Sequence, residues 1–148
     1  MIKDVVVKPL RVVADGRGRL VEMLRSDDPL FAGFGQVHLS TLRPGIIKAW
    51  HDHERLTECF VVVFGALRVV LYDARAPSPT HGATLELVLD AAQPVLVRVP
   101  PGVIHGFQCV GDQEAGLLSI GTHVYDYAVP DERRYAVDDP RIPFRWPG

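Results

Sequence analysis

The stretch GIIKAWHDHERLTECFVVVFG, Gly45 to Gly65, sets His51 and His53 one residue apart, then Glu58, between two glycines and ahead of an apolar run. In an extended strand successive side chains alternate faces, so His51 and His53 point the same way and Asp52 the other. The segment ERLT, residues 54–57, is long enough for a tight reversal, after which Glu58 opens the next strand and can face back toward the histidines. Further along, RVPPGVIHGF puts a Pro-Pro-Gly turn just ahead of His105, which opens another strand. Three imidazoles and one carboxylate suit Fe, Mn, Ni, Co or Zn, with positions left for water or substrate. Taken singly, each residue has a plainer role: a strand-end histidine is usually just hydrogen-bonded, and a lone glutamate is usually solvated. The joint spacing of Gly45, His51, His53, Glu58 and Gly65 is another matter, because at background usage it arises by chance below about once in a million start positions.

Beyond this stretch, 13 glycines and 12 prolines punctuate short Val-, Leu- and Ile-rich runs, the pattern of strands separated by turns. The runs DVVVKPLRVVA, RLVEMLR, GQVHLSTL, GIIKAWHDH, ECFVVVFG, ALRVVLYDAR, TLELVLD, PVLVRVP, HGFQCVG and GLLSIGTHVY read as strands, and the chain is mostly β. Only DVVVKPL (Asp4–Leu10) and DDPLFAGF (Asp27–Phe34) could form a helical turn or two, and neither keeps a 3.6-residue period. Periodicity does not choose between an open sandwich and a closed barrel. The 148 residues are expected to form one domain, 1–148, without internal repeats. The end, VPDERRYAVDDPRIPFRWPG, turns polar and proline-rich and is expected to wrap over the domain or a partner.

A net charge of −2 gives no electrostatic footprint for nucleic acid or an anionic membrane surface. Two cysteines, Cys59 and Cys109, both in apolar surroundings, read as reduced thiols. Lys3, Asp4 and Lys8 interrupt the apolar N-terminus, unlike a signal peptide. The apolar stretch Cys59–Leu67 is too short to span a bilayer. These features point to a cytoplasmic protein.

The spacing Gly-x5-His-x-His-x4-Glu-x6-Gly resembles the first motif of the cupins. The second half-motif, Pro-x-Gly-x2-His, is matched by Pro100, Gly102 and His105, with Cys109 where the cupin pattern usually has Asn. This resemblance implies an all-β cupin barrel of jelly-roll type, with an N-terminal strand arm and a C-terminal proline-rich tail. It also implies that His51, His53, Glu58 and His105 bind a divalent metal.

A longer resemblance covers most of the chain. DGRGRLVE (Asp15–Glu22), QVHLST (Gln36–Thr41), GIIKAWH (Gly45–His51), YDARAPSPTHG (Tyr72–Gly82), VPPGVIHGF (Val99–Phe107) and DDPRIPFRWP (Asp138–Pro147) are similar to the dTDP-4-dehydrorhamnose 3,5-epimerases and related dTDP-sugar isomerases. That likeness implies proton transfer next to the carbonyl of a nucleotide-linked keto-sugar, no organic cofactor, and a homodimer that exchanges an N-terminal strand and shares its nucleotide pocket. Carried over residue by residue, Arg17, Glu22 and Gln36 contact the nucleotide, partly across the dimer, and Lys48 meets phosphate where the family has arginine. His105 borders the substrate and His51 matches the base. His38 replaces the family's Asn and Leu20 its Phe, which puts thymidine preference in question.

The rest of the catalytic set departs from the family. Its enolate-stabilising lysine is Glu58 here, its Gln two residues after the base is His53, and its proton-returning tyrosine is Ser119. The family's base-orienting Asp lies beyond the closing Trp-Pro, outside these 148 residues. A glutamate beside a developing enolate raises the barrier unless a cation offsets it. A metal on His51, His53, Glu58 and His105 would resolve that conflict, but a His bound through its lone pair cannot also accept a proton. Tyr125, Tyr127, His38 and His123 are then the candidate bases. The alternatives are a metal-dependent cupin oxygenase or lyase, and a non-catalytic sugar-binding cupin.

Overall fold

The segment Glu58–Phe64 shows no apolar/polar alternation because both of its faces are covered. In the computed structural model, which describes residues 1–148, Phe60 and Val62 point into the barrel interior. Cys59 and Val61 point outward under residues of the N-terminal third, among them Leu10, Met23, Leu24 and Leu30. A strand buried on both faces reads as a continuous apolar run.

The strands are β1 (Val6–Pro9), β2 (Val12–Asp15), β3 (Gly18–Val21), β4 (Gln36–Leu42), β5 (Ile47–Asp52), β6 (Glu58–Phe64), β7 (Ala66–Asp73), β8 (Thr84–Asp90), β9 (Val95–Val99), β10 (Val103–Val110), β11 (Ala115–Gly121) and β12 (Arg133–Arg134). They form two five-stranded antiparallel sheets, β1-β9-β6-β11-β4 and β12-β5-β10-β7-β8, and a separate β2-β3 hairpin. The inner faces meet in a core that includes Phe60, Leu67, Val69, Leu71, Val97, Phe107 and Leu117. Each such side chain contributes about 1.5–3 kcal/mol through burial. This is the jelly-roll barrel of the cupins. Gly65, with φ of 67°, turns β6 into β7, and an added Cβ there would lie 2.6 Å from the Glu114 carbonyl oxygen.

No helix forms, so none is long and apolar enough to cross a membrane. Asp4–Leu10 and Asp27–Phe34 therefore do not make helical turns. Val6–Pro9 instead completes the ladder along the edge of β9. The run from Asp4 to Ala14 breaks after Pro9, which has no N–H for a ladder, and resumes at Val12 as the hairpin. Strand β10 begins at Val103, two residues before His105, and β11 ends at Gly121, before Thr122–Tyr125.

The tail lies on the outer face of the second sheet. Arg133 and Arg134 pair with Asp52 and His51 of β5. Ile142, Phe144 and Trp146 pack with Trp50, Val70 and Ile104. Asp52 does point away from the histidines. It is buried against this tail, accepting from Arg133 Nε at 2.9 Å and Nη2 at 2.6 Å, and from the Tyr135 hydroxyl at 3.2 Å.

Candidate active site

His51 and His105 face each other because β5 and β10 are hydrogen-bonded neighbours with those two residues in register. The register shifts just past them, and Gly106 permits the close approach: a Cβ there would stand 2.5 Å from the Ala49 Cβ and 2.9 Å from Trp146 Cζ2. His53 lies one residue past the end of β5 and keeps the same side as His51. The Pro100–Gly102 turn, with Gly102 at φ of 80°, fastens it by donating the Gly102 N–H to the His53 carbonyl at 2.8 Å. Glu58 comes from the opposite sheet, at the start of β6 between Val99 and Gly121.

One ligating atom from each of His51, His53, Glu58 and His105 lies within 4.8 Å of all the others. Glu58 Oε2 is 3.0 Å from His105 Nε2 and 3.5 Å from His53 Nε2. The far ring nitrogens are fixed by main-chain acceptors: His105 Nδ1 donates to the Val103 carbonyl at 2.9 Å, and His53 Nδ1 to the Asp131 carbonyl at 2.5 Å. A carbonyl can only accept, so each Nδ1 carries hydrogen, and each neutral ring turns its Nε2 lone pair toward the carboxylate. The Ser119 hydroxyl donates to Glu58 Oε1 and holds the carboxylate in place. Lone pairs facing lone pairs require a proton or a cation between them. Carbonyl-anchored imidazoles beside a hydrogen-bonded carboxylate are the donor set that fits a divalent cation.

The electrostatics agree. Burial alone would push Glu58 up, but hydrogen bonds from His105 and His53 hold its carboxyl well below the usual range. Burial likewise works against charge on His53, yet the Glu58 carboxylate raises it to about 9. His51, buried and next to the His105 imidazole, is pushed down to about 3 and is neutral. Its ring packs against His105 and Phe107 at centroid distances of 4.2 and 5.9 Å, and no carbonyl anchors it as one anchors each of the other two.

A cavity of about 460 Å³ opens over His51 and Glu58, walled by His38, Ser40, Lys48, Trp50, Phe107, Leu117, Glu132, Arg134 and Tyr135. A smaller space of about 70 Å³ lies on the other side of Glu58, bordered by Gln36, His53, Ser119, His123 and Tyr125; Glu58 and His38 border both. Lys48 Nζ donates to the Thr41 carbonyl at 2.7 Å and to Ser40 Oγ at 3.2 Å.

Of the residues singled out in the sequence, His51, His53, Glu58, His105 and Lys48 thus meet at one site. Gln36 and Tyr125 sit beside it, joined by a 2.6 Å hydrogen bond from the Tyr125 N–H to Gln36 Oε1. Tyr127 lines neither space; it is 90% exposed, with its ring against Tyr125. Arg17 and Glu22 also lie outside both spaces. Arg17 is exposed and paired with Asp15 on the β2-β3 turn, and Glu22 faces Arg25 just after β3. Cys109 belongs to the core, donating its thiol to the Gln113 carbonyl. Sequence reasoning missed Asp131, Glu132, Arg134 and Tyr135. Their segment reaches the site through two residues of pairing, too short for any periodic signal.

Fold and site together define a jelly-roll cupin whose polar cavity opens onto a carboxylate–imidazole cluster. The chain belongs to the dTDP-4-dehydrorhamnose 3,5-epimerase family, whose model matches residues 1–148. It is 38% identical over 146 residues to the spore coat polysaccharide biosynthesis protein SpsL of Bacillus subtilis, covering 99% of this chain and 97% of that protein. It is 39% identical over 152 residues to the probable low-salt glycan biosynthesis epimerase Agl13 of Haloferax volcanii, covering 98% and 94%. Among solved structures, a dTDP sugar isomerase from Desulfovibrio desulfuricans superposes with a TM-score of 0.92 at 34% identity, covering 98% of this chain and 92% of that one.

Proposed function

We propose that this protein is a metal-assisted epimerase or isomerase of a nucleotide-linked 4-keto-sugar, exchanging a proton on the carbon next to the carbonyl. The observation that carries the reading is the carboxylate–imidazole cluster at the wall of a 460 Å³ cavity in a member of a sugar-epimerase family. His53, Glu58 and His105 would hold the cation, since the two imidazoles are anchored through Nδ1 and the carboxylate through Ser119. A bound cation supplies the Lewis acidity that the family's lysine supplies elsewhere, stabilising negative charge on the keto oxygen.

His51 is placed in two roles by its motif, ligand and base. Its opening onto the cavity and its neutral ring favour the second: it would take the substrate proton, with His105 and Phe107 packed against the imidazole. Tyr125 borders the smaller space across Glu58 and would be the second proton carrier only for a substrate that extends into that space. Lys48 and Arg134, the latter paired with Glu132 at 3.1 Å, are the cationic side chains on the cavity wall that would meet a diphosphate.

The exposed Arg17 and Glu22, together with Val13 and Leu20 of the hairpin at 52% and 61% exposure, suit a homodimer in which one copy's hairpin reaches the other's nucleotide. Two free cysteines suit a reducing cytoplasm. The test uses a dTDP-4-keto-6-deoxyhexose in deuterated water. Deuterium incorporation is expected to stop on chelation and return with added divalent metal. Exchange that ignores the chelator would remove the metal from the mechanism, and an absence of both exchange and nucleotide binding would remove the sugar.

A further inference from the structure

Resting on the cation reading above, we propose that Asp131 is a positioning residue: it sets the ring of His53 and the turn that separates His53 from Glu58. No other residue touches the cluster in this way. Its carboxylate accepts three successive main-chain N–H groups, from Glu54 at 2.8 Å and from Arg55 and Leu56 at 3.0 Å each. Its own carbonyl accepts the Nδ1–H of His53 at 2.5 Å. The turn so held supplies three of the four residues between His53 and Glu58; the fourth, Thr57, donates its N–H to Thr122 Oγ1 at 3.1 Å.

A capping aspartate needs only its side chain to fold a turn. Here the same residue also presents its main chain to the imidazole, so displacing the side chain displaces the acceptor that orients the ring. Asp131 is itself held from the far side, because Arg133, two residues on, is locked to the buried Asp52 at the end of β5. The stretch from His51 to Leu56 is therefore gripped at both ends by one short segment of the C-terminal tail. An imidazole whose second nitrogen is fixed binds a cation without first losing ring rotation, and loss of such an outer contact lowers affinity by about 10–100-fold.

The experiment compares the full-length parent with D131A and D131N. Alanine removes both acceptor oxygens and with them all three turn hydrogen bonds, whereas asparagine keeps one side-chain oxygen. Zinc and cobalt titrations should show D131A losing about 10–100-fold in affinity and D131N losing less, with an altered cobalt absorption spectrum in D131A. In the chelated protein, the His53 Nδ1 proton should give a protected signal in nitrogen–proton correlation spectra of the parent and exchange faster in D131A. A merely structural role would lower the melting temperature and leave both readouts unmoved. Unchanged metal affinity, or an unchanged His53 proton signal, overturns the proposal. If the parent binds neither ion, the cation reading falls and the His53 signal alone decides. If D131A does not fold, D131N supplies the same two readouts.

Discussion

At Glu58 the family likeness expects a lysine, and the surroundings show why a carboxylate is stable there. Ser119, in the family's tyrosine position, donates to one oxygen, while the other sits between His53 and His105. The substitutions form a matched set: a lysine at position 58 would put its own positive charge where a cation between the two imidazoles needs a carboxylate, and a tyrosine at Ser119 would fill the space its hydroxyl now bridges. Glu58→Gln keeps the shape but removes the charge, and should abolish stoichiometric metal binding along with deuterium exchange. His51→Gln should separate the two functions. It is expected to retain the metal and to lose exchange by about 10²–10⁴-fold, the range for removing a general base. Loss of metal from His51→Gln, measured by elemental analysis, would return that residue to the ligand set. The convergence of His51, His53, Glu58 and His105 was legible in the sequence because strand alternation and a short reversal are local rules. Asp131 was not, since its partners stand 75–78 positions away along the chain.

Among the elements, β12 and the tail behind it decide whether the cavity has a wall. Glu132, Arg134 and Tyr135 line it, and the two residues of β12 could not hold that line alone. Docking comes from Ile142, 1% exposed, among Trp50, Val70 and Ile104, and from the edge-to-face contact of Phe144 with Trp50 at 6.1 Å. Ile142→Ala should destabilise the fold by about 2–4 kcal/mol, within the range for emptying a buried aliphatic site. Its effect on turnover should fall mainly on KM, because the wall loosens while His51, His53, Glu58 and His105 stay in place. An equal fall in kcat at unchanged KM would show instead that the tail reaches the reacting atoms. The tail was readable as a cover from its composition. Which sheet it covers was not, because that depends on the outward side chains Trp50, Val70 and Ile104, and alternation alone does not say what will meet them.

For the whole molecule, the cluster ties folding to protons and, on the cation reading proposed above, to metal. In the chelated protein, His53 holds a proton up to about pH 9. Between about pH 6.5 and 9 the folded chain therefore binds a proton that the unfolded chain has released, and stability falls as pH rises through that window. His51 behaves oppositely: pushed down to about 3, it stays neutral while an unfolded histidine charges, so stability falls as pH drops below about 6.5. Glu58, held low, adds to the acid loss once the pH reaches the ordinary glutamate range. The chelated protein should be most stable near pH 6.5. A divalent cation needs His53 without its second proton, so below pH 9 each ion bound displaces one. Its apparent affinity should then climb by up to about tenfold per pH unit. The gap between the melting temperatures of metal-loaded and chelated protein, which follows the logarithm of ligand over Kd, should accordingly widen from pH 6 to pH 9. A gap that stays constant across that range, measured by thermal denaturation at fixed free metal, would mean that no proton leaves when the ion enters, and that the ion binds somewhere other than between His53 and Glu58.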